Sequence, residues 1–438
     1  MSQCNHEYLL FDVVKSTKLK YRPPEQDVIR SALGETEPAR KRVKKSRTAE
    51  VPENKADQCC LPPASTFPAP VVTPGDKIYH DPDYPPQSVQ ECEDDGLCTD
   101  TPPLPVTLSH LDDWRAPGNS SKTASVGEAQ RPRADDVVDY LSAFYHSLPV
   151  KLLKIRDYRF TTWDDEFSPE PNRPSSKKST GPSYIGLATN KNVVRIRCRP
   201  SQSGKRGIYA AQLNLEDLID TAIMVLPKDA YALLMLIDQD LYEDDEDDFC
   251  CGRAYGGSRV AVVSTARYRP ELDKVQRVDR IHSWPASHCY EWIARRHRLR
   301  PSYKNLASTR EMADVEGSAV AAAVLASNEL SSPTTSAQFS VLWLGRVCKT
   351  ASHELGHCFG IDHCMYYACI MQGTANLAED ARQPPYLCPV DLKKVLRATG
   401  ASERDRYKAL LEFCEKWKED RMFTAFGAWL NVRLKQLS

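Results

Sequence analysis

The chain has 438 residues, and its 58 lysines and arginines almost balance its 59 aspartates and glutamates, for a formal net charge of −1. This balance excludes a global electrostatic attraction to nucleic acid or to an anionic membrane. No apolar stretch is long enough to cross a membrane, and Glu7 and Asp12 argue against a secretory signal at the N-terminus. We therefore expect a soluble intracellular protein, cytoplasmic or nuclear and not secreted, with no nucleic-acid or membrane partner.

The proline content divides the sequence into two regions. More than half of the 31 prolines precede Arg133, together with charged and Ser/Thr-rich blocks that offer little apolar surface to bury. We expect residues 1–135 to be a Pro-rich, largely disordered region and residues 136–435 to form one globular domain. Residues 271–335 lose clear periodicity and are interpreted as an insertion in that domain. The basic cluster at 40–45 is typical of a nuclear-import signal or of a solvated charge run.

The predicted elements of the globular part mix strands and helices. Helical spacing of apolar residues predicts helices over 135–148 and 209–226, and strands are predicted over 150–155, 193–198, 230–237 and 259–268. The run 230–237 is almost continuously apolar, which predicts a buried central strand. The acidic tract 243–248 that follows favours an exposed loop over a calcium site.

The C-terminal part of the sequence is predicted to be helical. Periodicity returns over 340–359, and further helices fit 389–399 and 405–417. The resulting fold class is α+β, with a mixed twisted sheet against the 340–359 helix and a helical C-terminal subdomain.

The most informative motif is His-Glu-Leu-Gly-His from His353 to His357, followed by Gly360 and His363. On a helix, His353 and His357 lie one turn apart on the same face, so both imidazoles can bind one metal ion. Gly360 can adopt backbone angles closed to other residues, which lets the helix end and brings His363 back as a third ligand. Three protein ligands leave the fourth zinc position open, as in catalytic sites, and Glu354 is placed to act as a base.

A cysteine cluster follows this motif. Cys364, Cys369 and Cys388 can supply three thiolates to a second, closed zinc site; the alternative is that they are ordinary buried cysteines. The 15 cysteines of the chain are spread along it. In a reducing compartment, clustered cysteines more often bind metal than form disulfides.

A set of short motifs follows one another in this part of the chain: His353-Glu-Leu-Gly-His357, Gly360, His363-Cys364, Cys369-Ile-Met371-Gln-Gly373 and Leu387-Cys388-Pro389. Through these motifs, the sequence from 348 to 392 resembles the archaemetzincins (archaelysins), a family of zinc metallopeptidases in the metzincin clan, and residues 209–268 resemble it more loosely.

The resemblance implies a metzincin-like zincin fold for the catalytic domain and specific roles for these residues. A catalytic zinc would bind to His353, His357 and His363, with Glu354 as general base and Met371 beneath the metal.

A second, structural zinc is also implied, held in the family by four cysteines of which three match Cys364, Cys369 and Cys388. The fourth is expected at position 391, where this chain has Asp391. A carboxylate ligates zinc at about 2.0–2.2 Å, so a Cys₃Asp site is chemically feasible, although thiolate is the softer ligand.

These residues together predict a zinc-dependent metallopeptidase that hydrolyses peptide bonds of a peptide substrate. Some members of the family resemble aminopeptidases acting on short peptides, which is the expectation here. The alternative is a weakly active or inactive zinc-binding interaction protein on the same scaffold; the intact Glu354 argues against it and Asp391 mildly for it. We further hypothesise that the 259–268 strand pairs with an extended substrate along the cleft.

Overall fold

A computed structural model gives the fold of the chain. It describes residues 4, 6, 8–14, 18–35, 61–95, 104–111, 128–154, 158–163, 183–189, 192–201, 209–299 and 317–437. The basic cluster at 40–45 lies outside the described residues, as do residues 300–316 of the proposed insertion. No helix in the described ranges is long and apolar enough to span a membrane.

Strands and helices are both well represented. The strands are β1 (Val106–Leu111), β2 (Val150–Leu152), β3 (Arg159–Thr162), β4 (Ser183–Ala188), β5 (Val193–Pro200), β6 (Ala211–Asn214), β7 (Ala232–Ile237), β8 (Leu241–Tyr242), β9 (Gly252–Tyr255) and β10 (Val260–Ser264). The helices are α1 (Gln26–Ala32), α2 (Lys77–His80), α3 (Val89–Asp94), α4 (Ala134–Phe144), α5 (Leu215–Val225), α6 (Asp273–Gln276), α7 (Tyr290–Arg296), α8 (Ala319–Asn328), α9 (Ser336–Cys358), α10 (Leu377–Asp380), α11 (Pro389–Thr399), α12 (Glu403–Lys416) and α13 (Arg421–Gln436).

The strands form two five-stranded sheets. The first has the order β2-β1-β7-β10-β9, with parallel pairing throughout except for the antiparallel edge strand β9. The second has the order β3-β4-β5-β6-β8 and is antiparallel except for the β6–β8 pair. The expected mixed sheet is therefore present, and a second sheet accompanies it.

The first sheet is covered on both faces. Every residue of β7 is buried, which confirms the prediction of a central strand from its continuous apolar run. Side chains alternate between the faces: Leu234 and Leu236 join the core that includes α4 and α9, whereas Leu233 and Met235 join the core that includes α5 and the second sheet.

Helix α9 carries the histidine motif and lies against the first sheet. It begins with a capping box, in which Thr335 and Gln338 satisfy each other's backbone donors. The Trp343 indole N–H donates to the Thr265 carbonyl at 2.8 Å beyond the end of β10, and Tyr145 donates to the Ser352 carbonyl at 2.6 Å from the α4 side. Both hydrogen bonds are buried, and they fix the position of α9 relative to the sheet and to α4.

The prediction of one helix over 209–226 is wrong for the first part of this segment. Residues Ala211–Asn214 form β6, and only Leu215–Val225 is helical. The Asn214 side chain accepts a hydrogen bond from the Asp217 N–H and so caps α5. This cap sets the boundary that apolar spacing alone placed too early.

The expectation of a largely disordered region up to residue 135 is wrong for the parts of it that are described. Strand β1 lies between β2 and β7 inside the first sheet. Tyr21 and Phe67 are each 1% exposed, and the Trp429 indole donates to the Thr66 carbonyl. These segments have little regular secondary structure and bury isolated aromatic side chains, so periodicity does not reveal them.

The helical C-terminal subdomain is present. Helix α11 has the predicted bounds, α12 starts two residues earlier than predicted, and the last helix α13, which was not predicted individually, packs against α8 and α12. Trp429 of α13 is fully buried and stacks on Tyr386 with ring centroids 4.4 Å apart. Within the proposed insertion, the alanine-rich residues Ala319–Asn328 form α8.

Candidate metal centres and active-site cleft

The end of α9 is a Schellman motif built around Gly360. Its φ is +75°, a left-handed conformation that favours glycine. The Gly360 N–H donates to the His357 carbonyl at 3.0 Å and the Ile361 N–H donates to the Gly356 carbonyl at 3.2 Å. The chain therefore reverses direction just after the helix, as expected from the sequence, and returns His363 toward the helix face.

The three histidines of the motif come together. The side-chain nitrogens of His353, His357 and His363 that can bind a metal lie within 4.8 Å of one another. The Nε2 atoms of His353 and His357 are 3.0 Å apart. This convergence is what the helical spacing and Gly360 predicted.

Backbone carbonyls fix the tautomers of the two helix histidines. His353 Nδ1 lies 2.7 Å from the Ile370 carbonyl, and His357 Nδ1 lies 2.7 Å from the Ile361 carbonyl. A carbonyl can only accept, so each Nδ1 carries the proton and each Nε2 presents a lone pair. Burial lowers the pKa of both imidazoles to about 3, with repulsion from a neighbouring histidine acting in the same direction. Both rings are thus neutral at neutral pH, the form in which an imidazole can bind a metal.

Met371 packs directly under the motif. It is fully buried, and a Cβ added to Gly356 would lie 2.6 Å from the Met371 sulfur. The Met371 carbonyl accepts a hydrogen bond of 2.8 Å from the Cys364 N–H. The position between the helix and the loop agrees with the one implied by the resemblance.

Glu354 is buried beside the edge strand β9. An added Cβ on Gly252 would lie 3.4 Å from the Glu354 Cγ, and the Ala254 N–H hydrogen-bonds to the carboxylate. Burial raises the pKa of Glu354 to about 8, although the Arg253 charge and the Ala254 hydrogen bond act in the opposite direction. A carboxylate in this environment can take up and release a proton near neutral pH.

The strand hypothesised to pair with substrate is not at the sheet edge. Strand β10, within the predicted 259–268 segment, lies between β7 and β9 and pairs with both. The edge strand beside the histidines is β9, which was not predicted because it is short and begins at a glycine. The hypothesis therefore has to be transferred from β10 to β9.

A cleft of about 1060 Å³ contains the histidines, Glu354 and β9. Besides Glu354, six carboxylates and two cationic side chains line it. The carboxylates are Asp95, Glu243, Asp247, Asp248, Asp362 and Asp380, and the cations are Arg253 and Lys349. Three members of the predicted acidic loop 243–248 thus lie at the cleft, where they give it an excess of negative charge.

The predicted cysteine cluster is also brought together. Ligand atoms of Cys364, Cys369, Cys388 and Asp391 lie within 4.8 Å of one another, and all four residues are buried. The sulfurs of Cys364 and Cys388 are 3.6 Å apart. Asp391 Oδ2 lies 3.3 Å from the Cys369 sulfur and 3.4 Å from the Cys388 sulfur. Three soft donors and one oxygen therefore face a common point, a donor set that fits zinc.

The other Asp391 oxygen is occupied by a residue that sequence reasoning missed. Lys394 donates to Asp391 Oδ1 and to Gln87 Oε1, both at 2.9 Å, and is 2% exposed. Burial and a neighbouring Cys364 thiolate raise the pKa of Asp391 to about 7, whereas Lys394 lowers it. Lys394 follows Asp391 by three residues on α11, a helical spacing that could have indicated the pair.

Gln87 links the two clusters. Its amide donates to the Gly360 carbonyl at 2.9 Å, and its oxygen accepts from the Asp362 N–H at 3.1 Å and from Lys394. The loop between Gly360 and His363 is thereby tied to the N-terminal region. No local signal in the sequence indicated this residue, because its partners are more than 270 positions away.

The helix, the edge strand and the converging imidazoles define the class of site as that of the zinc metallopeptidases with an H-E-x-x-H helix. Residues 319–397 match the sequence model of peptidase family M54. Over these residues, the match confirms the resemblance to the zinc metallopeptidases stated above.

Curated relatives show the same likeness. Archaemetzincin-2 of Macaca fascicularis is 47% identical over 89 residues, which cover 20% of this chain and 23% of the relative. Archaemetzincin-2 of Mus musculus is 30% identical over 211 residues, covering 46% and 45%, and archaemetzincin-1 of Homo sapiens is 30% identical over 220 residues, covering 50% and 36%. The matched part thus spans less than half the length of each of these relatives.

The chain is also similar to a solved structure, the archaemetzincin of Methanopyrus kandleri. The identity is 19%, the TM-score is 0.31, and the match covers 68% of this chain and 97% of the other.

Proposed function

We propose that this protein is a zinc-dependent metallopeptidase on a metzincin-like fold. His353, His357 and His363 would hold the zinc and leave one coordination position for water and substrate. The observation that carries the proposal is that the Nε2 atoms of His353 and His357 lie 3.0 Å apart, while a backbone carbonyl occupies the Nδ1 atom of each ring. Two unprotonated nitrogens facing each other at this distance repel, and a shared cation removes the repulsion. When bound, zinc lowers the pKa of a water molecule and polarises a carbonyl.

Glu354 is the general base in this proposal. It accepts the proton of the attacking water and then transfers it to the leaving amine. Its placement one residue after His353 puts it next to the reacting water, and the hydrogen bond from Ala254 orients it toward the cleft. No separate serine or cysteine nucleophile is needed.

Strand β9 is the proposed docking edge for the peptide. An extended substrate can pair with an edge strand through its main chain, which holds the scissile bond parallel to the sheet. Gly252, Arg253 and Ala254 all line the cleft; Gly252 and Ala254 are half-buried, whereas Arg253 is exposed. Small residues on the cleft side allow a peptide backbone to approach closely.

We propose an aminopeptidase acting on short peptides. The excess of carboxylates around the cleft supports this choice, because it attracts the ammonium group of a free N-terminus.

A second, structural zinc is proposed for Cys364, Cys369, Cys388 and Asp391. Asp391 Oδ2 faces the sulfurs while Lys394 neutralises Oδ1, so the aspartate can replace a thiolate without adding unpaired charge. All four ligands come from the protein, which is typical of a structural site. It would brace the loop that carries His363.

The catalytic unit in this proposal is the domain over residues 136–435 together with the N-terminal segments that complete its first sheet and its metal loop. We also propose an intracellular location, in the cytoplasm or nucleus. Cys364, Cys369 and Cys388 lie together with Asp391 in an arrangement suited to a metal ion, a use of clustered cysteines that agrees with a reducing compartment.

The general-base assignment is tested with Glu354→Gln, which keeps the shape of the side chain and removes its basicity. We expect zinc content to be unchanged and the turnover of a short peptide to fall by about 10²–10⁴-fold, the usual contribution of a positioned base. Glu412→Gln, on the exposed side of α12, serves as the charge-matched control and is expected to keep wild-type turnover.

Near-normal turnover of Glu354→Gln would refute the role of this residue. Zinc binding without hydrolysis of any peptide by the wild-type chain would instead favour the alternative, a zinc-binding interaction protein on this scaffold.

A further inference from the structure

A third group of side chains that can bind a metal shares no residue with the two clusters already described. Cys4, His6, His282 and Cys289 place one ligand atom each within 4.8 Å of the others. For bonds of about 2.0–2.3 Å to a tetrahedral zinc, neighbouring ligand atoms are about 3.3–3.8 Å apart. The cluster is therefore near the size of a loaded site and needs only a small contraction.

Backbone pairing brings the two distant segments together. Leu9 and Cys289 form an antiparallel bridge, and the Leu10 N–H donates to the His288 carbonyl at 2.8 Å. The N-terminal segment thus runs beside the start of α7 in a defined register. The ligands at positions 4 and 6 reach those at 282 and 289 because of this register.

His282 is prepared as a metal ligand. Its Nδ1 lies 2.7 Å from a carboxylate oxygen of Asp279, and its Nε2 lies 3.4 Å from the Cys4 sulfur. A carboxylate on one nitrogen orients the ring and leaves the other nitrogen for a metal, which is the usual support of zinc-bound histidines. The ring is also stacked on Trp292, with centroids 5.2 Å apart.

His6 and Cys4 also have side-chain contacts that support a role as ligands. His6 Nε2 is buried and has no hydrogen-bond partner among the described residues, while Asn328 hydrogen-bonds to the His6 side chain. The guanidinium of Arg295 contacts the Cys4 sulfur. A buried nitrogen without a partner normally costs free energy, so its position calls for a ligand.

We propose that Cys4, His6, His282 and Cys289 form a third zinc site, a closed Cys₂His₂ centre that fastens the N-terminal segment to the catalytic domain. All four ligands come from the chain, so the site is structural and leaves no position for substrate. Two thiolates balance the charge of the ion, and binding releases the two thiol protons.

The N-terminal segment that this site would fasten also contacts the loop that carries His363. Tyr21 donates to the Met365 carbonyl at 2.7 Å, and Met365 follows His363 by two residues. Tyr21, Met365 and Cys289 belong to one buried cluster with Trp292. A metal at this end of the segment would therefore stabilise the support beneath the His363 loop.

Zinc per chain, measured in the full-length wild type and in Cys4→Ser after purification without chelators, tests the site. We expect Cys4→Ser to contain one zinc fewer, and Cys198→Ser, a thiol on β5 outside all three clusters, to match the wild type. Cys4 is only half-buried and close to the terminus, so its substitution should not prevent folding. His282→Gln provides a second variant with the same expected loss.

Cobalt replacement and hydrogen exchange give independent readouts. The cobalt-substituted wild type should show more thiolate charge-transfer absorption than Cys4→Ser, and the Leu10 amide should exchange faster in the variant. Equal zinc content in all four proteins would overturn the proposal, as would a Cys4–Cys289 disulfide found by mass spectrometry of the protein purified under reducing conditions. These outcomes do not depend on peptide hydrolysis and leave the catalytic proposal separately testable.

Discussion

At the scale of single residues, the site depends on Gly360 and on the carbonyl that its turn delivers. The left-handed φ of Gly360 ends α9 and places the Ile361 carbonyl 2.7 Å from His357 Nδ1. One backbone angle thus sets the tautomer of one proposed ligand and the approach of His363. The glycine was recognisable from the sequence, but the role of the Ile361 carbonyl was not, since any residue has a carbonyl.

Gly360→Ala tests this role. A Cβ in the left-handed region costs about 1–2 kcal/mol, so the free energy of unfolding should fall by about that amount. The turn should also shift, which would weaken zinc binding and reduce peptide hydrolysis by more than the loss of folded protein explains. Denaturant unfolding and turnover of the same preparation provide the two measurements.

Gly400→Ala is the matched control. Gly400 ends α11 with a φ of +68° and has open space around the position of an added Cβ. The stability cost should be similar and hydrolysis per folded molecule unchanged. An equal effect of the two substitutions on hydrolysis would show that the turn at Gly360 has no special role.

At the scale of elements, β7 and α9 were predictable because their side chains follow one simple period over many residues. Strand β9 and strand β6 were not, since each has four residues and their identity as strands depends on partners elsewhere in the chain. The proposed docking strand is β9 and not β10, because β9 is the strand at the edge of the sheet. A local sequence pattern does not specify the order of strands in a sheet.

The acidic lining of the cleft beside β9 predicts a preference for a free N-terminal amine. Acetylating the amine of a short peptide should lower kcat/KM about tenfold, which corresponds to ~1.4 kcal/mol of lost interaction. The difference in kcat/KM between the free and the acetylated peptide should become smaller with added salt, because salt screens exposed carboxylates. Amidation of the C-terminus, which alters charge at the other end, is the control and should not lower kcat/KM. Equal rates for free and acetylated peptides would contradict the aminopeptidase proposal.

At the scale of the whole molecule, the N-terminal region is part of the folded unit wherever it is described. Strand β1 completes the sheet, Gln87 braces the loop of His363, and Tyr21 contacts Met365. Composition suggested disorder because proline and charge are abundant there. Composition averages over a segment, however, and the burial of a few aromatic and apolar side chains is enough to dock it. The candidate site was predictable for the opposite reason, since its ligands lie within a short stretch and share the geometry of one helix end.

The most direct test of the central claim is the zinc content and peptide hydrolysis of the full-length wild type and of His353→Ala, purified without chelators. We predict that His353→Ala contains one zinc fewer per chain and does not hydrolyse a peptide that the wild type cleaves. His353→Ala with unchanged zinc content, or with undiminished hydrolysis, would contradict the assignment of His353, His357 and His363 as the catalytic metal site.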